Sequence, residues 1–185
     1  MGKNLKSIHL SPRRLRLATG TVLLLYVLTH LSNHALGLWS LAAAEAGRQV
    51  FTAFWRNPVV TVVFYGSLLL HFGLALSALV ERRSLVMSPT ELLRIVLGFL
   101  IPFLLAGHFS QTRLVHELYA VDDTYRRNVS LMWFNDYSLW QMTLLTVAWT
   151  HGCLGIHFAF RHRAEYRRLQ SAFVVAATVL AVLAA

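Results

Sequence analysis

Five long apolar stretches, separated by short and mostly basic segments, make up most of this chain. A helix that crosses the hydrocarbon layer of a membrane needs about 20 apolar residues, and the first four stretches reach that length. We therefore predict an all-α fold, a transmembrane helix bundle that forms one domain over residues 1–185. No internal repeat is evident by inspection. The stretches run from about Leu17 to Leu41, Val59 to Val80, Leu92 to Ser110, Leu139 to Phe160 and Ser171 to Ala185.

Three Xaa-Pro pairs predict where helices begin. Ser11-Pro12, Asn57-Pro58 and Ser88-Pro89 each place a capping side chain before a proline at the first helical position. Glu91 adds the glutamate of a capping box, and Pro102 predicts a kink in the third stretch. The fifth stretch gives only about 22 Å of helix. We therefore expect a truncated fifth helix, and a chain that is the N-terminal part of a longer protein.

The composition agrees with a membrane protein. Hydrophobic residues make up 56% of the chain and charged residues 14%, whereas soluble domains average about 25% charged residues. The net charge of +9 flanks the apolar stretches, which favours membrane lipid as the partner and argues against nucleic acid. With a cytoplasmic N-terminus, twelve of the 17 Lys and Arg residues fall inside, as the positive-inside rule expects. Cys153 is the single cysteine, and without a CxxCH motif covalent haem attachment is excluded.

Each of the first four apolar stretches carries a histidine near its middle. An imidazole at that depth needs a partner within the bundle. Two of the four lie ten or eleven residues before an arginine that follows the stretch. The other two lie fourteen residues after an arginine that precedes or opens it. This spacing predicts two pairs at matched depths, which are His71 with His151 and His30 with His108.

Two histidines from facing helices are what one haem iron needs as axial ligands, so the two pairs predict two haem b groups. Such irons have no open coordination position, which leaves electron exchange as their chemistry. Polar contacts between helices, or a proton path, remain the alternatives. Zinc is disfavoured because no carboxylate or second cysteine lies at this depth. His34 remains an alternative to His30 or a contact for a haem propionate, and His157 remains an alternative to His151.

Arginines at the membrane faces are candidate partners for haem propionates. Their alternative role is interfacial anchoring. Glycines in the same helices give weak further support, because they also occur at ordinary contacts between membrane helices. The candidate arginines are Arg16, Arg82 and Arg161 on the inner side and Arg113 on the outer side.

The segments around these histidines resemble the cytochrome b membrane anchor of succinate:quinone oxidoreductases. The likeness is carried by PRRLRLATG before His30, LLLHFG at His71, LLAGHFSQTR at His108 and WTHGCLGIHF at His151. In that family four helices each contribute one histidine to two haem b groups, the first helix pairing with the third and the second with the fourth. The resemblance thus implies the same pairs as the depth count.

Two further segments, HELYAVDDTYRR and HGCLGIHFAFRHRAEYRRLQ, resemble the N-terminal anchors of certain bacterial class III adenylate cyclases. This likeness implies a redox- or quinone-responsive sensor in the bacterial inner membrane, joined to a cytoplasmic cyclase domain and homodimeric. The chain itself holds no cyclase residues. The alternatives are an electron-transfer subunit that works beside an iron–sulfur subunit, and a haem-free structural anchor.

Overall fold

The computed structural model describes residues 11–134 and 137–185, and within these ranges the chain is helical and contains no strand. Short 3-10 and π-helical turns, Leu36–Leu38 and Ser110–Leu114, extend two of the helices. The eight α-helices are α1 Pro12–Ala35, α2 Leu41–Trp55, α3 Pro58–Val80, α4 Pro89–Phe109, α5 Val115–Tyr119, α6 Tyr125–Phe134, α7 Ser138–Phe160 and α8 Ala164–Ala184.

The three predicted helix starts are confirmed. The side chains of Ser11, Asn57 and Ser88 each accept a hydrogen bond from a backbone N–H of the first turn that follows, with proline at the start of each helix. Only half of the predicted capping box forms. The Glu91 carboxylate pairs with Arg82 instead of turning back to its own helix start.

In the part of the chain that the structure describes, five helices are long and apolar enough to cross a membrane, which confirms an all-α, multi-pass membrane fold. They are Pro12–Leu38, Pro58–Val80, Pro89–Tyr119, Ser138–Phe160 and Ala164–Ala184. The last of these has 21 residues, or about 31 Å of helix, where the sequence predicted fifteen. Its first two turns, AEYRRLQ, are polar and join the apolar part that follows in one continuous helix. The added length of α8 thus comes from its polar start, and its apolar part is the stretch that the sequence predicted.

The segments between the apolar stretches also contain helices. The segment before α3 forms α2, and the segment between the third and fourth apolar stretches holds the end of the long third span and helix α6. Ala120 ends α5 in the left-handed conformation, with a φ of 52°. These short helices lie together at one end of the bundle, where α2 packs against α6.

An ion cluster fixes that end of the bundle. Asp123 is only 7% exposed, and its two carboxylate oxygens accept hydrogen bonds from Arg48 and Arg56. Glu45 accepts hydrogen bonds from the Arg48 guanidinium and from the backbone N–H of Tyr125. The hydrogen bonds from Arg48 lower the pKa of the Glu45 carboxyl. A carboxylate as buried as Asp123 is stable only when paired, so the cluster ties α2 to the segment before α6.

The spans pack as two close pairs. Helix α1 lies along α3, helix α4 lies along α7, and α1 also contacts α7 and α8. Within residues 58–109, all of which the structure describes, α3 and α4 are not closely packed against each other. The two pairs therefore leave space between them at the end of the bundle where α1 and α4 begin.

Candidate functional site

His71 on α3 and His151 on α7 face each other across this space. Their ring centres are 6.4 Å apart, and the ring planes are nearly perpendicular, at 89°. Both rings line a cavity of about 420 Å³, a size typical of sites for organic ligands. A metal held by two imidazole nitrogens at about 2 Å each places the ring centres about 6 Å apart. The spacing of the two rings thus matches that of two axial ligands on one metal ion.

Each ring is held by a backbone carbonyl at Nδ1. Nδ1 of His71 lies 3.1 Å from the carbonyl oxygen of Arg16, and Nδ1 of His151 lies 2.9 Å from that of Arg94. A carbonyl only accepts, so each Nδ1 carries the hydrogen and each Nε2 keeps a free lone pair. Among the described residues neither Nε2 has a hydrogen-bond partner. Each imidazole is therefore fixed in the tautomer that a metal ligand needs.

Two glycines make room for the two rings. A Cβ at Gly20 would lie 2.9 Å from Cε1 of His71, and a Cβ at Gly98 would lie 2.6 Å from Cε1 of His151. Both distances are shorter than van der Waals contact. Only glycine lets α1 and α4 approach the imidazoles closely enough for their carbonyls to accept the Nδ1 hydrogens.

These contacts reveal an internal repeat that inspection of the sequence missed. Helix α1 carries Arg16, Gly20 and His30, and α4 carries arginine, glycine and histidine at the same spacing, R-x3-G-x9-H. In both halves the arginine carbonyl and the glycine hold a histidine from the next membrane span. The expectation of no internal repeat is therefore wrong. The repeat explains why the histidines fall into two pairs of matched depth.

Basic side chains surround the mouth of the cavity. Arg13, Arg16, Arg82 and Arg94 line it, and Arg82 is paired with Glu91 at 2.5 Å. In the part of the chain that the structure describes, Arg16 and Arg94 form no ion pair. The mouth is therefore suited to an anion.

Of the four arginines predicted to contact haem propionates, two line the inner cavity and two do not. Arg16 and Arg82 line the cavity. Arg161 lies outside its lining and stacks on the Phe158 ring at 4.8 Å. Arg94, which lies fourteen residues before His108 and was not predicted to contact a propionate, lies 4.4 Å from the same ring and does line the cavity. Its position in the repeat, equivalent to that of Arg16, is the sequence signal that would have identified it.

The second predicted pair also comes together. The ring centres of His30 and His108 are 5.8 Å apart. His34 joins them, because its Nε2 lies 3.2 Å from Nε2 of His30 and its Nδ1 lies 3.3 Å from the Tyr125 hydroxyl. The Gln141 side chain lies close to His108. The outer pair is thus a cluster of three imidazoles with polar neighbours.

The remaining candidates, His157 and Arg113, do not line the inner cavity. His157 lines a separate cavity of about 430 Å³ between α7 and α8, and its Nδ1 lies 3.3 Å from the Tyr166 hydroxyl. Arg113 pairs with Glu117 at 3.0 Å and does not line the inner cavity. The structure therefore brings His151, and not His157, opposite His71.

The chemistry of the inner cavity fits a flat metallocofactor with acidic groups. Two neutral imidazoles face each other, aromatic and aliphatic side chains form the walls, and guanidinium groups surround the mouth. Haem b has the matching parts, namely an iron with two axial positions, an apolar macrocycle and two propionates. Residues 11–134 and 137–185 contain no group of three or more His, Cys, Asp or Glu side chains that could form a metal cage. Comparisons with protein-family models, with curated proteins and with solved structures find no match to this chain.

Proposed function

We propose that this chain is a membrane domain that binds two haem b groups, each between two histidines. We further propose that it acts as a redox- or quinone-responsive sensor and anchor for a cytoplasmic adenylate cyclase domain. The observation that carries the haem proposal is the inner pair. Two imidazoles at axial-ligand spacing present their free Nε2 atoms in a cavity with a cationic mouth. For the second haem the support is the ring spacing of His30 and His108, and binding there would require Nε2 of His30 to leave its contact with His34.

The residues of the chain have distinct tasks in this proposal. His71 and His151 supply Nε2 to the inner iron, and the carbonyls of Arg16 and Arg94 fix the two rings. The bound haems supply one-electron oxidation and reduction. With His71 and His151 both bound to the iron, no position would be open to small gaseous ligands, so electron exchange would be the chemistry that the haem supplies. The guanidinium groups at the mouth hold the propionates and set the local charge that the iron experiences.

The distribution of charge supports an orientation with the N-terminus in the cytoplasm of a bacterial cell. The mouth of the inner cavity lies at the end of the bundle where α1 and α4 begin, and that end is strongly basic. Basic residues accumulate on the cytoplasmic side of membrane proteins. In this orientation the inner haem lies nearest the cytoplasm, where an output domain would be.

The haem proposal is tested by measuring haem in the purified protein. We expect two haem b groups per chain by the pyridine haemochrome assay, with six-coordinate, low-spin absorption spectra in both oxidation states. Carbon monoxide is expected to leave the reduced spectrum unchanged, because no axial position is open. Absence of Soret absorption after expression with sufficient haem would instead favour a haem-free structural anchor.

The reading frame beyond Ala185 distinguishes a sensor from an electron-transfer subunit. A cyclase domain that continues in frame supports the sensor. Neighbouring genes for a flavoprotein and an iron–sulfur protein support the subunit instead. The turn after α7 favours the sensor, because the helix that carries His151 continues almost directly into α8 and the His157–Tyr166 contact joins the two. A shift of His151 would therefore reach the next helix.

Replacement of Arg94 by alanine is expected to weaken retention of the inner haem while leaving its ligands in place. The variant keeps the backbone carbonyl that holds His151 and removes only the guanidinium. Loss of one charge-assisted hydrogen bond corresponds to about tenfold faster haem release, measured by transfer to excess apomyoglobin. Arg161→Ala is the matched control, because Arg161 contacts the same Phe158 ring without lining the cavity. Equal release from both variants would exclude a special role for Arg94.

A further inference from the structure

We propose that Thr19 is a positioning residue for the inner haem, which makes the two axial histidines of that haem unequal. This inference rests on the proposed haem function. It concerns the hydrogen of His71 Nδ1, which has two acceptors within reach, whereas its counterpart on His151 has one.

The Thr19 hydroxyl lies where it accepts from His71. Thr19 is 7% exposed, and its Oγ1 lies 2.9 Å from the Leu15 carbonyl oxygen and 3.2 Å from that of Arg16. The same Oγ1 lies 3.2 Å from Nδ1 of His71. A hydroxyl has one hydrogen, and a carbonyl of its own helix takes it. The oxygen lone pairs are then left for the Nδ1–H, which is shared between Thr19 and the Arg16 carbonyl.

The internal repeat shows that this contact is particular to one half of the bundle. Counting three residues from each repeat arginine gives Thr19 in α1 and Leu97 in α4. Leucine has no hydroxyl to offer. Among the described residues the Arg94 carbonyl is therefore the one acceptor for Nδ1–H of His151. The two halves share the arginine carbonyl and the glycine and differ in this hydroxyl.

A second acceptor on Nδ1–H makes an imidazole a stronger electron donor through Nε2. Stronger donation stabilises the oxidised form of a bound iron more than the reduced form, so Thr19 lowers the reduction potential of the inner haem. The same contact limits rotation of the His71 ring about its Cβ–Cγ bond. The near-perpendicular arrangement with His151 depends on that limit.

Thr19→Val removes the acceptor and keeps the shape of the side chain. We expect the potential of the inner haem to become more positive, so that the ratio of reduced to oxidised inner haem at a fixed ambient potential rises several-fold. The low-spin EPR signal of that haem should also change as the ring rotates. Thr19→Ser keeps the hydroxyl and should restore the wild-type values. Thr143→Val is the matched control, because its exposed hydroxyl bonds only to its own helix.

The comparison of the Thr19→Val and Thr19→Ser variants decides the proposal. It is supported if the valine variant differs from wild type in potential, EPR signal or retention of the inner haem while the serine variant does not. It is overturned if the valine and serine variants behave alike, whether both resemble wild type or both differ from it. Failure of the haem proposal is distinguishable, because the wild-type protein would then contain no haem.

Discussion

Removal of His71 or His151 is expected to eliminate one of two haems. In the proposed site each ring would supply one of two axial nitrogens, because the spacing of the rings fits a single iron, and alanine would leave that iron with one ligand from the protein. The haem content of His71→Ala and of His151→Ala should fall from two groups to one. The haem that remains should be the outer one, between His30 and His108, with an unchanged six-coordinate spectrum.

Two control variants show whether the loss of haem is specific to His71 and His151. His162→Ala removes an exposed histidine of the turn after α7 and should retain both haems. His157→Ala tests the alternative ligand on the same helix and should also retain both, because its ring lies at the α7–α8 cavity. Retention of two haems by both inner variants would refute the assignment of ligands. Loss of both haems with normal membrane insertion would show that the two sites fold as one unit.

The second large loss of haem is expected in the Gly98→Val variant. A Cβ at this position would lie 2.6 Å from Cε1 and 3.1 Å from Nδ1 of His151, so the ring or helix α4 must move. Either movement breaks the contact between the His151 ring and the Arg94 carbonyl. Because loss of an outer contact to a metal ligand weakens metal binding about tenfold or more, we expect the inner haem to be largely lost during purification.

Gly66→Val is the control for this substitution. Gly66 lies on α3, is exposed, and has no neighbour within 4 Å of an added Cβ. The same change in size and branching should therefore leave haem content and thermal stability unchanged. The measurement is the Soret to protein absorbance ratio of both variants, together with their unfolding temperatures in one detergent. A full haem complement in Gly98→Val would show that close approach of α4 to His151 is unnecessary.

The parts of the fold that the sequence predicted are those with strong local causes. Hydrophobicity over about 20 residues identifies a membrane helix whatever surrounds it, so the first four spans were predicted at full length and the fifth only from its apolar part. The Ser-Pro and Asn-Pro starts were predicted because a capping side chain acts within one helical turn. Counting residues from the arginines placed the histidines in pairs, and the structure brings these rings together. That the rings bind haem remains a prediction.

The parts that were missed depend on contacts between distant segments. Helix α2 contains Glu45 and Arg48, which argue against a membrane helix. Their distant partners are the backbone N–H of Tyr125 and the Asp123 carboxylate, at and just before the start of α6. Arg94 gave no sign of a role until the structure showed its carbonyl on His151. The polar start of α8 was not predicted as helix, because hydropathy alone does not mark a helix that continues past the membrane surface.

The buried Asp123 cluster gives the bundle ends of unequal stiffness. At one end, attraction between opposite charges joins α2 to the segment before α6 and opposes separation of the spans. At the other end, Arg82 is paired with Glu91, but Arg13, Arg16 and Arg94 of α1 and α4 line a cavity and repel one another. If the proposed haem is bound there, oxidation or reduction of its iron would change the charge between these side chains by one unit and so change their repulsion. We therefore expect the spacing between the helices to change at the basic end of the bundle, while the end that contains Asp123 stays fixed.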